Sequence, residues 1–348
     1  MVIQKQRLYK IIGIISLIVI FTFAIVIMYR SYNKEKVVAT VNSENISVDE
    51  FKLIMNDNLT SVTSYFNSKY NVDSNEKDYW TTSFGGEIPL EVLKEKTLEQ
   101  CIDSKLLQIV AKKKGVIEDI SYSEFKKRLD EENKRRKESI ENNKPIYGPV
   151  EYREREYFEY ELTNITIKAK DYIMNNEISF DEDSINKYYD EIKDEYFKIE
   201  DTVKVQQIFI PFKDGDTNKY KDIYETVKRK LENNEDLKSF IDGGIIEQSE
   251  REFTPETASE DENKNSELRN KVYKLKENEV SDLIEVGNGY YIMKCISIKE
   301  NGYQGIEDVE SLVKTYYTSE RYDEIIKEMK SNIDVKINKK EYKTIEIS

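Results

Sequence analysis

An uninterrupted apolar run, IIGIISLIVIFTFAIVIM from Ile11 to Met28, fixes the layout of everything else in this chain. As a helix its residues, at about 1.5 Å each, reach roughly 27 Å, which is enough to cross a hydrocarbon core. Lys5, Arg7 and Lys10 precede the run, while Tyr9, Tyr29 and Arg30 bracket its ends as interfacial anchors. A cleaved signal peptide would have an apolar core of about 7–15 residues followed by a small-x-small cleavage site. Here Ile27-Met28-Tyr29-Arg30 stand instead, so the run reads as an uncleaved anchor, and no cysteine lies near it for lipid attachment. Arg30, Lys34 and Lys36 nearly balance the preceding cations, but long polar tails cross membranes largely regardless of charge. The expected topology is a cytoplasmic segment 1–10, a single transmembrane span over 11–29, and an extracytoplasmic remainder at the cell membrane.

Composition then removes whole chemistries. The 348 residues include no histidine and two cysteines, with 54 basic and 68 acidic side chains giving a formal charge of −14. No Ser-His-Asp or Cys-His arrangement, His-ligated metal, Cys₄ zinc site or iron–sulfur cluster can be assembled. Dinucleotide, P-loop, GxSxG, SxxK and DxDxDG patterns are all missing, so no cofactor and no metal is expected. The negative charge argues against nucleic acid as a partner. Aromatic residues, at 11%, supply the apolar surface for cores despite 35% charged residues. Cys101 and Cys295 could pair in an oxidising compartment or remain two separate buried thiols.

Along the tail, VVATVN (37–42) reads as a strand with a Ser43-Glu44-Asn45 turn, and Ser47 and Glu50 form a capping box for a helix carrying Phe51, Met55, Leu59, Val62 and Phe66. Pro89 opens a leucine-rich helix that ends at Lys112–Lys114 and Gly115. Further helices are expected after Ser121, from the KPIYGP turn to about Asn176, and from Asp181 to Phe197. VKVQQIFIPF (203–212) reads as a buried strand, with helices over 219–231 and 236–241. Residues 251–265 read as a polar loop, 268–275 as a short helix, and 282–298 as a hairpin turning at Asn288-Gly289. A last helix, 306–333, precedes the extended VKIN of 335–338. The carboxylate pairs Asp49/Glu50 and Glu260/Asp261 read as solvated groups at caps and in loops.

In this order the segments resemble the SurA/PrsA-type extracytoplasmic foldases. VVATVNSENISVDEF is similar to that family's opening strand, turn and capped helix, and LEQCIDSKLLQIVAKKKGV to its second helix. SINKYYDEIKDEYF and EIIKEMKSNIDVKINKKEY resemble the helix before the catalytic domain and the closing helix and strand. KLKENEVSDLIEVGNGYYIMKCISI resembles the end of a parvulin-like (PpiC-type) peptidyl-prolyl isomerase domain. The resemblance implies an α+β architecture: the transmembrane helix, a mainly helical chaperone module from 37–199 and 304–348, and an inserted parvulin-like domain at 200–300 with a four-stranded antiparallel sheet.

The family's groove twists an X-Pro bond whose uncatalysed barrier is about 18–20 kcal/mol. Gln207 falls where its first-strand histidine would be, Tyr291 where the second would be, and Asn288 where a hydroxyl residue is common. Leu268 takes the place of a groove-lining aromatic. The family's Cys- or Asp-bearing loop has no counterpart between Phe240 and Gly243-Gly244. Gln207 and Tyr291 could donate to a bound amide, or simply satisfy their own polar atoms. Tyrosine outnumbers phenylalanine 25 to 13, densest at Tyr152, Tyr157, Phe158, Tyr160 and at Tyr188, Tyr189, Tyr196, as either core or client surface. The implied function is the binding of unfolded or newly exported polypeptides with proline isomerisation. A non-catalytic holdase or assembly scaffold, and an anchored sensor or interaction protein, are the other readings.

Overall fold

The computed structural model describes residues 35–212, 217–287 and 289–347. The expected anchor, 11–29, lies outside them, and among the described residues no helix is long and apolar enough to cross a membrane. In chain order the elements are β1 (Val37–Val41), β2 (Glu44–Ser47), α1 (Val48–Tyr70), α2 (Pro89–Lys113), α3 (Tyr122–Glu141), α4 (Glu154–Asn176) and α5 (Glu182–Tyr196). Then follow β3 (Thr202–Pro211), α6 (Thr217–Glu232), α7 (Lys238–Asp242), β4 (Glu247–Phe253), α8 (Ala258–Val272), β5 (Ile284–Val286) and β6 (Gly289–Lys299). The chain closes with α9 (Ile306–Ser331), β7 (Val335–Ile337) and α10 (Lys339–Lys343). They fold as two units: one runs to Ser179 and resumes at Thr315, and the other spans Phe180–Lys314.

In the first unit β1 lies between β2 and β7, antiparallel to both, so the two ends of the tail share one sheet. The β1–β2 turn sits one residue earlier than the sequence suggests. Asn42 and Ser43 take left-handed φ of 47° and 73°, and Glu44 and Asn45 are already strand. A polar side chain that bonds its own backbone tolerates that region best after glycine. Ser47 caps α1 by accepting from the Glu50 N–H at 3.0 Å. The other half of the expected box is absent, because the Glu50 carboxylate turns inward. Phe51, Phe66, Leu93, Leu106 and Phe125 fill the core between α1, α2 and α3, and Ile345 beyond α10 closes it. Gly115, with φ +71°, ends α2, and the Val116 N–H returns to the Ala111 carbonyl at 2.9 Å.

The second unit contains the expected four-stranded antiparallel sheet, in the order β4-β3-β6-β5. Two expectations fail here. Residues 251–265 are no loop: β4 pairs with β3 without interruption, and α8 begins at Ala258. β4 carries no apolar period because it is an edge strand exposed on both faces through most of its length; its main-chain ladder to β3 holds it. The hairpin does not turn at Asn288-Gly289, since Gly289 pairs with Val286 and is the first residue of β6. Asn288 itself lies outside the described residues. Cys101 and Cys295 are both fully buried and free, in keeping with the reading of two separate thiols rather than a disulfide.

Candidate functional site

Alternation along β3 assigns the two faces of the second sheet. Ile208 and Ile210, with Ile292 of β6, face Val227 and Leu231 of α6. On that face Lys294, 7% exposed, donates to the Leu231 carbonyl and to Asn234 Oδ1, both at 2.6 Å, and so caps the end of α6. The opposite face carries Val203, Val205, Gln207 and Phe209, with Ile298, Cys295, Met293 and Tyr291 as their respective partners on β6. Leu268 and Val272 of α8 cover Val203, Val205 and Cys295. The cover stops there. Gln207, Phe209 and Tyr291 are only half-buried, and they make a half-covered strip of the sheet face, the trough.

The trough is shaped by close contacts. The Phe209 and Tyr291 rings pack at 4.8 Å between centroids. Phe209 lies directly over Gly289, where a Cβ would stand 2.4 Å from its Cε2 and 2.5 Å from the Ile210 carbonyl oxygen. Glycine is needed there for close approach, not for a turn. Leu268 is 4% exposed and sits at the start of a second helical segment. Asn265, with φ −166° and ψ 79°, breaks α8, and its Oδ1 accepts from the Leu268 N–H at 3.1 Å to start the helix afresh. The short helix read from the sequence is this second half; the first half, bearing Asp261, was missed.

Asp261 corrects the expectation that the Glu260/Asp261 pair is solvated, for it is 2% exposed. Arg251 of β4 donates to its Oδ1, Thr257 Oγ1 donates to Oδ2 at 2.7 Å, and Arg269 Nη1 stands 4.0 Å away. Arg269 also donates to Glu200 and lies 4.6 Å from the centre of the Tyr273 ring. Burial works against the Arg269 charge, but Glu200 and Tyr273 outweigh it and its pKa is raised. Burial likewise raises the Tyr273 hydroxyl. The signal available in the sequence was Thr254-Pro255-Glu256-Thr257, whose two threonines bond each other's N–H groups at 3.1 and 3.3 Å and lead into α8. Asp49/Glu50 is corrected in the same way, because Glu50 is 1% exposed.

Of the residues singled out from the sequence, Gln207, Leu268 and Tyr291 therefore meet on one face. Gln207 Oε1 is buried without a hydrogen-bond partner, so of the two readings open for this side chain the one in which it satisfies its own polar atoms is not met at this oxygen. Nothing in the trough is a nucleophile or an imidazole; it can desolvate a bound amide and accept an N–H. The aromatic candidates divide. Phe158 and Tyr157, 2% and 8% exposed, are core of the first unit and offer no client surface. Tyr160 is 46% exposed and stacks on Tyr152 at 5.2 Å. In the second unit Tyr196 is 47% exposed and Tyr188 half-buried, while Tyr189 stacks on Phe197 at 5.7 Å and donates to the Gln304 carbonyl at 2.6 Å.

Comparison with known proteins matches residues 180–311 to the PPIC-type PPIASE domain and residues 1–129 to the SurA-like N-terminal domain. A curated relative, a chaperone for lacto-N-biosidase from Bifidobacterium longum subsp. longum, is 25% identical over 127 residues, 36% of this chain. The chain spans a little under half, 45%, of that relative's length. Among solved structures, a SurA-like chaperone of Campylobacter jejuni is 14% identical, with 87% of this chain and 99% of that one covered and a TM-score of 0.29. The foldase protein PrsA of Streptococcus pneumoniae is 17% identical, with 75% and 96% covered and a TM-score of 0.25. Residues 1–129 belong to the SurA-like N-terminal domain family and residues 180–311 to the PPIC-type peptidyl-prolyl isomerase domain family.

Proposed function

We propose that this chain is a membrane-anchored extracytoplasmic folding factor, held by residues 11–29, that binds unfolded, newly exported polypeptides. The second unit receives their proline-containing segments in the trough beside α8. The observation that carries this reading is the coincidence of the PPIC-type match with a sheet face that leaves Gln207, Phe209 and Tyr291 half-buried beside buried Leu268. Rotation about an X-Pro bond needs no covalent step, so desolvation of the amide, with Tyr291 as a hydroxyl donor, supplies the chemistry. Exposed Tyr160 and Tyr196 would extend contact to clients.

A second reading, a holdase without catalysis, is favoured by one specific observation. The chain has no histidine, and Gln207 and Tyr291 stand at the two positions where the family it resembles carries one. The full-length chain, added to a refolding reaction limited by a proline bond and in parallel to an aggregating client, separates the two. Faster refolding that is lost in Tyr291→Phe or Gln207→Ala supports catalysis. Suppressed aggregation without acceleration supports the holdase, and neither effect leaves an anchored sensor or interaction protein.

A further inference from the structure

The sheet of the second unit treats its two edges differently. β5 is 3 residues long, too short to template another strand, whereas β4 is 7 residues long. Natural edge strands are blunted by brevity, charged side chains, proline or a bulge. β4 carries only the charge: it reads EQSEREF, is neither short nor bulged, holds no proline, and pairs with β3 in unbroken register from Phe253 to Glu247. The edges of the other sheet, β2 and β7, are 4 and 3 residues long. Among the described residues β4 is thus the one long, regular edge whose outward N–H and C=O groups have no main-chain partner. Glu247 to Glu250 are exposed on both faces of the strand, so no helix covers this edge.

The charge of the edge selects its occupant. Gln248, Glu250 and Glu252 alternate onto one face and Glu247, Ser249 and Arg251 onto the other. Arg251 is committed to Asp261, and Lys204 sits 2.7 Å from Glu250, which leaves Glu247 and Glu252 without ion-pair partners among the described residues. A second copy paired edge to edge would set three glutamates against three in a chain of net charge −14. We propose that the free edge of β4 is a docking site for an extended basic polypeptide segment, which adds a fifth strand by main-chain pairing and sets alternate lysines or arginines along the face of Glu252, where Glu250 is already shared with Lys204. The site is separate from the α8 trough and does not depend on isomerisation there.

The test uses the full-length chain and three labelled peptides: (Lys-Val)₄, (Glu-Val)₄, and (Lys-Val)₄ N-methylated at alternate residues so that one edge cannot pair. Fluorescence anisotropy is expected to give at least about tenfold tighter binding for the lysine peptide than for either of the others, weakening as salt rises. Amide exchange should slow at 247–253 and not at 284–286. Glu252→Lys, an exposed position, should cost affinity for the lysine peptide and improve it for the glutamate peptide. The double change Glu250→Lys/Glu252→Lys should invert the preference. Equal binding of the N-methylated peptide, protection confined to other strands, or no binding by any of the three would overturn the proposal.

Discussion

Lys105 Nζ lies 2.8 Å from Glu50 Oε1, and neither side chain is more than 1% exposed. The pair ties the first turn of α1 to the middle of α2, and Lys105 reaches the Ile120 carbonyl at 3.4 Å ahead of α3. Burial raises the Glu50 pKa, and the Lys105 charge offsets this in part. Removing one partner leaves the other buried and alone. Glu50→Leu or Lys105→Met should therefore each cost about 3–5 kcal/mol in urea unfolding, while the double replacement should be near neutral. A double variant as unstable as the sum of the singles would show that packing, and not charge, is lost.

Glu87 makes the opposite case at the surface. Its carboxylate accepts from the hydroxyls of Tyr70 at 2.6 Å and Tyr65 at 3.0 Å and from Lys69 Nζ at 2.9 Å. These bonds, Tyr70 first, lower its pKa from 4.5 to about 2. The folded state then binds the proton less tightly than the unfolded one. Glu87 contributes stability above about 4.5 that is lost as pH falls toward 2. It pins the loop ahead of α2 that carries the chain's single tryptophan, Trp80, whose emission reports the loop directly. Acidification from pH 5.5 to 2.5 should loosen the loop before the core unfolds. In Glu87→Gln the loop should already be loose at pH 7 and show no transition in that window; an unchanged titration would assign the acid response to other carboxylates.

How much of this was legible depends on where each residue's partner lies in sequence. β3, the β5–β6 hairpin and the long helices were readable because their apolar period is local, as at Val203, Val205, Ile208 and Ile210. β4 was not, since an edge strand open on both faces needs no apolar residue before Phe253, and what specifies it is the ladder to β3. Asp261 looked like a loop carboxylate because its burial is made by Arg251 and Arg269 on other segments. Glu50 passed for a cap for the same reason, its partner being on α2. Within the candidate site, the gathering of Gln207, Leu268 and Tyr291 was legible through the family resemblance. The role of Gly289 under Phe209 was not, because it arises from a contact across the sheet.

Asp261 yields a prediction of its own. It joins the first half of α8 to β4 and to Arg269, which is 7% exposed. Asp261→Asn keeps the volume but removes the charge that both arginines face. It should lower unfolding free energy by about 1–3 kcal/mol. Amide exchange should accelerate first over 258–264, where the helix has the least other support. If exchange rose uniformly across the second unit, α8 would be no separate element and Asp261 no pin.

Gln207 sets stability against use of the trough. Its Oε1 is buried without a partner in the free protein, and an unpaired buried amide oxygen costs on the order of 1–2 kcal/mol. Leucine fills similar space beside Met293 and carries no such oxygen. Gln207→Leu should therefore leave the protein as stable or more stable, by about 1 kcal/mol, while weakening its hold on a proline-containing peptide. Gln207→Ala should lose both, because it opens a void as well. The measurement is a pair of urea curves and a peptide titration for each variant. A leucine variant that loses stability as alanine does would mean that the oxygen already has a partner in solution. One that binds peptide as the wild type does would mean that the trough engages its ligand without Gln207.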